Sequence, residues 1–191
     1  MNQIVITLDI DWAPDFVIDF VAAKLIRQNV KSTWFVTHTS PAIDQLRERP
    51  DLFELGIHPN FLAGSSHGKT PDEILQQCMA LVPEAISMRT HGLVQSSSLI
   101  AQVLAQTPIR NDVSLFMPHM SALKPFDYYW AGSKLVRVPF FWEDDLEMER
   151  PHPLWHLSPL KAIGDGLKVF NFHPIHLFLN SATMAPYQSL K

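Results

Sequence analysis

The stretch Ile4-Val5-Ile6-Thr7-Leu8-Asp9-Ile10-Asp11-Trp12 constrains the fold more than any other, because an apolar strand runs straight into two carboxylates separated by one residue. In an extended backbone alternate side chains point the same way, so Asp9 and Asp11 are expected to converge on one site at the strand's carboxyl end. A carboxylate pair there, joined by histidines from later strand ends, suits a metal hydrolase, with one acid to hold the metal and one to deprotonate water.

The remainder of the chain alternates strand-like runs with helical patterns, which predicts an α/β fold with parallel strands. Strands are expected at Ile4 to Leu8, Ser32 to Val36, Phe53 to Ile57, Ala85 to Met88, Ile109 to Leu115, Leu135 to Trp142 and Leu167 to Phe172. Helices are expected at Asp15 to Gln28, where Phe16, Phe20, Ala23 and Leu25-Ile26 recur at helical spacing, and at Pro41 to Arg49, Pro71 to Leu81 and Ser96 to Ala105. Thr70-Pro71-Asp72-Glu73 supplies a cap, a first-turn proline and acids for the third of these. Met117 to Gly132, with two prolines and the aromatic cluster Phe126 to Trp130, reads as a loop, and Glu147 to Pro159, with three prolines, as irregular chain.

Composition narrows the function classes. At 191 residues with 47% hydrophobic content, residues 1–191 fit one domain with a sizeable core. The net charge of −4 and the lack of any Lys/Arg run give no basic field, so neither nucleic acid nor an anionic membrane is an expected partner. Cys78 is the sole cysteine, which excludes an internal disulfide and a Cys-rich metal site. No apolar run reaches membrane-spanning length and the first strand begins almost at once, so a cytoplasmic location without membrane insertion is expected. Oligomeric state leaves no trace in the sequence.

Ionisable residues recur where the strands end, the edge at which parallel α/β barrels gather their active sites. These endings are Asp9-Ile10-Asp11, His58-Pro59-Asn60, Arg89-Thr90-His91, Glu143-Asp144-Asp145 and His173-Pro174-Ile175-His176. Core packing has no reason to put charged groups at every terminus. Capping of the following helix would use only one of Asp9 and Asp11 and would explain neither His58 nor His173.

These motifs resemble, in order from Thr7 to His173, those of the polysaccharide deacetylase family, the NodB-homology or carbohydrate esterase family 4 type. Thr7-Leu8-Asp9-Ile10-Asp11 is similar to its Thr-Phe-Asp-Asp element with an extra residue between the acids. Glu54 to His58 resembles the segment introducing its metal-binding histidine, Arg89 its third-motif arginine, Trp142 to Asp145 its fourth motif, and Asn171-Phe172-His173 its Leu-x-His. The Asp-x-Asp, His-Pro-Asn-Phe and Arg-Thr-His versions look like a divergent branch associated with O-antigen biosynthesis. The resemblance implies a distorted (β/α) barrel of about seven parallel strands. One position departs: the family has a second histidine four residues after the first, and here that position is Leu62.

Three residues are available to replace that ligand: His91 at the next strand end, His67 on the Gly64-Ser65-Ser66-His67-Gly68 loop, and Asn60. Adjacent parallel strands bring their termini about 5 Å apart, which favours His91; His67 sits on a flexible loop, and an amide is a poor zinc ligand. A divalent metal, Zn2+ in the first place with Co2+, Ni2+ or Mn2+ as substitutes, is then expected on Asp11, His58 and His91, where it would polarise an acyl carbonyl and acidify a water. Asp9 is the expected base, kept ionised by Arg89, which in turn has a structural ion pair as its plain reading. His173 is the expected acid, oriented by Asp144 or Asp145, with His176 a packing residue. Trp12, Trp130 and Trp142 are candidate sugar platforms, though aromatic residues are more often core.

The expected reaction is therefore removal of an acetyl or similar acyl group from a sugar amine, on a small-molecule or oligosaccharide substrate. Two other classes fit the same residues. One is a non-catalytic carbohydrate-binding or assembly protein on the same barrel; the other is an amidohydrolase of a different small C–N substrate, such as a deformylase.

Overall fold

In the computed structural model, which describes residues 3–190, β1 (Gln3–Asp9), β2 (Ser32–Val36), β3 (Phe53–Ile57), β4 (Ser87–Met88) and β5 (Asn111–Asp112) alternate with α1 (Asp15–Arg27), α2 (Pro41–Arg47), α3 (Pro71–Leu81) and α4 (Ser97–Gln106). Helix starts follow their local chemistry. Ser40 Oγ accepts from the Ile43 amide and Ser96 Oγ from that of Leu99, while Thr70 and Glu73 form a reciprocal capping box. Each cap satisfies amides that have no partner inside the helix.

After β5 come β6 (Phe126–Trp130), β7 (Ser133–Arg137), β8 (Trp142–Glu143), α5 (Asp144–Met148), α6 (Leu157–Ala162), β9 (Leu167–Phe172), α7 (Pro174–Leu179) and α8 (Ala185–Gln188). The sheet order is β6-β7-β5-β4-β3-β2-β1-β9-β8, parallel throughout except for the β6–β7 pair. This is the distorted α/β barrel, with nine strands among the described residues where about seven were expected.

Three expectations need correction. The segment Met117 to Gly132 is not all loop, since Phe126–Trp130 pairs antiparallel with Ser133–Arg137; its alternating aromatics are good strand formers, and Gly132 at φ 82° completes the turn. Leu135 to Trp142 is not one strand, because Pro139 lacks the donor a ladder needs. Its two ends lie on opposite sides of the sheet, β7 between β6 and β5 and β8 at the far edge beside β9. Between them the Phe140 amide donates to Leu115 O and the Phe141 amide to Val169 O, so this crossing chain draws the barrel's edges together. Glu147 to Pro159 is irregular only in its middle, its ends belonging to α5 and α6.

In α1 the buried face is Val17, Ile18, Val21 and Ala22, not the phenylalanines. Phe16 and Phe20 instead meet Phe178 of α7 edge-on at 5.3 and 5.1 Å.

Alternation along β2 sorts the core. Trp34 joins the large cluster beneath the helices, whereas Phe35 joins Val113, Phe140 and Val169 in a separate cluster. Phe35 and Phe140 sandwich the Arg89 guanidinium at 4.8 and 4.5 Å. Gly56 on β3 makes room for this arrangement, since a Cβ there would fall 2.8 Å from the Phe35 ring. Removing either ring should cost about 3–5 kcal/mol.

Candidate metal centre and active site

Backbone hydrogen bonds carry the parallel ladder one residue past the strand ends and so fix the site's bases. Ile10 N donates to Phe35 O, His58 N to Val36 O and Arg89 N to Ile57 O, each at 3.1 Å; His91 N reaches Pro59 O at 2.9 Å. Asp11 arrives differently from the expectation. β1 ends at Asp9, and Asp11 and Trp12 adopt left-handed backbone at φ 44° and 56°. The Trp12 amide donates to Thr37 Oγ1 at 3.0 Å, anchoring the turn over the end of β2. A tight turn, not strand alternation, brings Asp11 across to β3 and β4. Left-handed backbone in non-glycine residues typically costs of order 1–3 kcal/mol and recurs at functional sites.

Three donor atoms meet at this turn. Asp11 Oδ1 lies 3.2 Å from His58 Nε2 and 3.1 Å from His91 Nδ1, and the two nitrogens are 3.3 Å apart. Ligands at about 2.0–2.2 Å on three corners of a tetrahedron are separated by roughly 3.3–3.5 Å, close to the edges of this triangle. One carboxylate and two imidazoles make a donor set suited to zinc, and also to cobalt or nickel. The residues present therefore fit a divalent metal.

Burial alone would raise the Asp11 carboxyl, but hydrogen bonds from His58 and His91 and the charges of His58 and His173 hold it well below the usual carboxylate range. The same bond to Asp11 raises His91.

The other two candidates for the third position lie elsewhere. His67 is buried, its Nε2 2.8 Å from Thr37 O while its Nδ1 accepts from the Asn60 amide at 3.2 Å. Burial lowers its pKa. It staples the loop and does not reach the donor triangle. Asn60 Oδ1 accepts from the Leu62 amide, and Leu62 itself is exposed.

Beside the triangle, Arg89 is fully buried and donates from Nη1 to Asp9 Oδ1 at 3.0 Å, from Nη2 to Thr7 Oγ1 at 3.0 Å and from Nε to Val113 O at 3.0 Å. Across the cleft, Asp144 accepts from His173 twice, from Nδ1 at 2.6 Å and from the backbone amide at 2.8 Å. His173 Nε2 is left facing Asp11 Oδ2 at 3.6 Å. Burial would lower His173, yet Asp144, Asp11 and Asp145 together raise it well above the ordinary imidazole value. Asp145 lines the cleft but binds the Leu146 amide, and burial raises its pKa. His176 packs edge-on between His173 and Tyr187.

The cleft encloses about 230 Å³ and is lined by Asp9, Asp11, His58, Thr90, His91, Glu143, Asp145, His173 and apolar Leu93 and Leu146. Of the tryptophans, only Trp12 stands near the donor triangle, edge-on to His91 at 5.3 Å and partly exposed. Trp142 is buried with its Nε1 on Leu154 O. Trp130 pairs with Ser133, at the amino end of β7 and so on the opposite rim.

Sequence reasoning gave no role to three residues, although two of them, Glu143 and Asn171, lie within the motifs it named. Glu143 lines the cleft, and burial together with the Asp145 charge raises its carboxyl to about 7. Asn171 is fully buried between Asp9 and Glu143. Asp112, held by Arg137 at 2.7 Å, accepts from Ser114, whose Oγ accepts from the Thr90 amide and so steadies the turn bearing His91. Buried polar residues inside short apolar strands were the available signal.

Comparisons with known proteins bear on family and fold. The family model described as WbmS-like polysaccharide deacetylase matches residues 6–191. Among solved structures, a Bordetella bronchiseptica protein described as a polysaccharide deacetylase involved in O-antigen biosynthesis is similar at 34% identity and a TM-score of 0.81, over 98% of this chain and 77% of that one. A carbohydrate esterase family 4 pseudoenzyme from Bacillus anthracis shares 13% identity, TM-score 0.49, over 98% and 57% of the two chains. A polysaccharide deacetylase from Bacillus cereus shares 13%, TM-score 0.49, over 97% and 84%. The last two likenesses are too slight to bear on the site. No curated protein matches the sequence.

Proposed function

The chain belongs to the WbmS-like polysaccharide deacetylase family, and from that premise we propose that residues 1–191 act as a metal-dependent hydrolase removing an N-acyl group, acetyl in the first place, from an amino sugar of an O-antigen or polysaccharide precursor. The observation that carries this reading is the triangle of Asp11, His58 and His91 donor atoms set between Asp9 and His173. Family membership alone would not carry it, because activity resides in the site and not in the fold.

Asp11 Oδ1, His58 Nε2 and His91 Nδ1 would hold the metal, with Zn2+ the best match to the donors and Co2+, Ni2+ or Mn2+ as substitutes. When bound, such an ion polarises the acyl carbonyl and acidifies the attacking water. The Asp9 carboxylate, held in place by Arg89, accepts the water's proton. His173, protonated and held through Nδ1 by Asp144, gives the proton on Nε2 to the departing nitrogen. Asp145 adds negative charge behind that imidazole.

A cleft of about 230 Å³ suits a sugar ring and its acyl group better than several subsites in a row. We therefore assign a compact precursor, met in the cytoplasm, as substrate. The test is acetate or formate release from N-acylated nucleotide sugars beside chitin oligomers of increasing length. Release from the precursors is expected; activity that climbs with oligomer length and is nil on activated monosaccharides would refute the precursor assignment. Leu62 at the position of the family's second histidine favours one rival, a carbohydrate-binding protein without turnover, which predicts sugar binding with no acyl release.

A further inference from the structure

We propose that Asn171 is the positioning residue for Asp9, its side-chain amide clamping the base's second oxygen and tethering it to Glu143. This rests on the hydrolase reading above. The amide's orientation is dictated by its neighbours. On one side stands a donor, Arg89 Nη1, facing Asn171 Oδ1, with the Thr7 hydroxyl 3.2 Å from the same oxygen and its one proton shared with Phe170 O at 3.0 Å. On the other stand two carboxylates, and Asn171 Nδ2 gives one proton to Asp9 Oδ2 at 2.8 Å and the other to Glu143 Oε1 at 2.9 Å. Reversing the amide would set its oxygen against both acids and its nitrogen against the guanidinium, so one assignment alone satisfies Arg89, Asp9 and Glu143.

The consequence concerns the plane of the Asp9 carboxylate. Arg89 fixes Oδ1, but a carboxylate held at one oxygen still turns about its terminal torsion, whose well is broad. The second bond, from Asn171 to Oδ2, removes that freedom. Asn171 is itself fully buried on β9, one strand over from β1, where Thr7 is its registered partner, so the clamp is built into the sheet and not into a mobile loop. Leucine fills similar space without a donor. Aspartate keeps the shape and the acceptor but turns the donor into a third acid.

The test compares Asn171→Leu and Asn171→Asp with wild type, each loaded with metal. Expected are a fall in kcat of about 10–100-fold, KM within twofold, unchanged metal content, and an Asp9 carboxylate rotated out of its wild-type plane in a crystal structure of either variant. Glu143→Gln, which keeps the acceptor for Asn171, should recover most of whatever kcat Glu143→Leu loses. Overturning results are kcat within twofold of wild type in both Asn171 variants, a loss traced to KM or metal content, or an Asp9 carboxylate that stays in place. Should Leu fail to fold, the Asp variant decides by the same measures. A wild-type protein inert on every N-acylated sugar would overturn the hydrolase reading instead, leaving the orientation of Asp9 in the variants to decide this one.

Discussion

His91 Nδ1 lies 3.1 Å from Asp11 Oδ1, although 80 residues separate them in the chain. The contact exists because β4 stands beside β3 and because the left-handed turn at Asp11 carries its carboxylate past the end of β2. It sets a third donor atom beside those of Asp11 and His58.

The first prediction follows from that contact. His91→Ala should lower metal affinity by at least 10-fold, as loss of a ligand does, whereas His67→Ala should keep the metal and lose stability of about 1–3 kcal/mol through the orphaned Asn60 amide and Thr37 carbonyl. Metal titration and denaturant unfolding of the two variants measure both. Equal effects on metal would contradict the ligand set.

Asp9→Asn should retain metal and lose turnover by about 10²–10⁴-fold, because an amide cannot take the water's proton. Metal content and acyl release, read on one preparation, check it. Full activity in the variant would remove Asp9 from the role of base.

Asp144→Asn probes the acid. A general acid works only while protonated, so activity falls as pH rises through the His173 value. Burial pulls that value down and Asp144 leads the contributions that lift it. The substitution should therefore move the basic limb of the kcat profile to lower pH. Stability obeys the same sign: the raised His173 stabilises fully below the free imidazole value of ~6.5 and less as pH rises through the folded value. In metal-free protein the deficit of Asp144→Asn should be largest near the lower end of that window and shrink above it, which unfolding at a series of pH values will show.

Arg89→Leu should cost about 3–5 kcal/mol, since it leaves the Asp9 carboxylate buried with its charge partner removed and empties the slot between Phe35 and Phe140. The denaturant midpoint reports it. A loss below 1 kcal/mol would mean that the pair is not a fixed part of the barrel.

Much of the architecture could be read from periodicity and caps. β2 and β3 stand where the apolar runs predicted, and α3 starts at the proline after its capping threonine. What escaped depends on distant partners. Nothing local says that Pro139 lets the chain leave β5 and reach β9, or that Phe126–Trp130 finds an edge to pair with. Phe16 and Phe20 misled because hydrophobic spacing names a face without saying what covers it. In the candidate site, the charged strand endings were legible because they break an apolar pattern. Asn171 and Asp112 were not, because a neutral amide or a single acid within a strand acquires meaning only from neighbours brought in by the sheet.

The most direct test of the central claim is acyl release from N-acylated precursor sugars by protein stripped with a chelator and then titrated with Zn2+. The account predicts no release from stripped protein, recovery that saturates near one metal per chain, and no recovery in Asp11→Ala or His58→Ala. Undiminished release from metal-free protein, or full recovery in either variant, would contradict it.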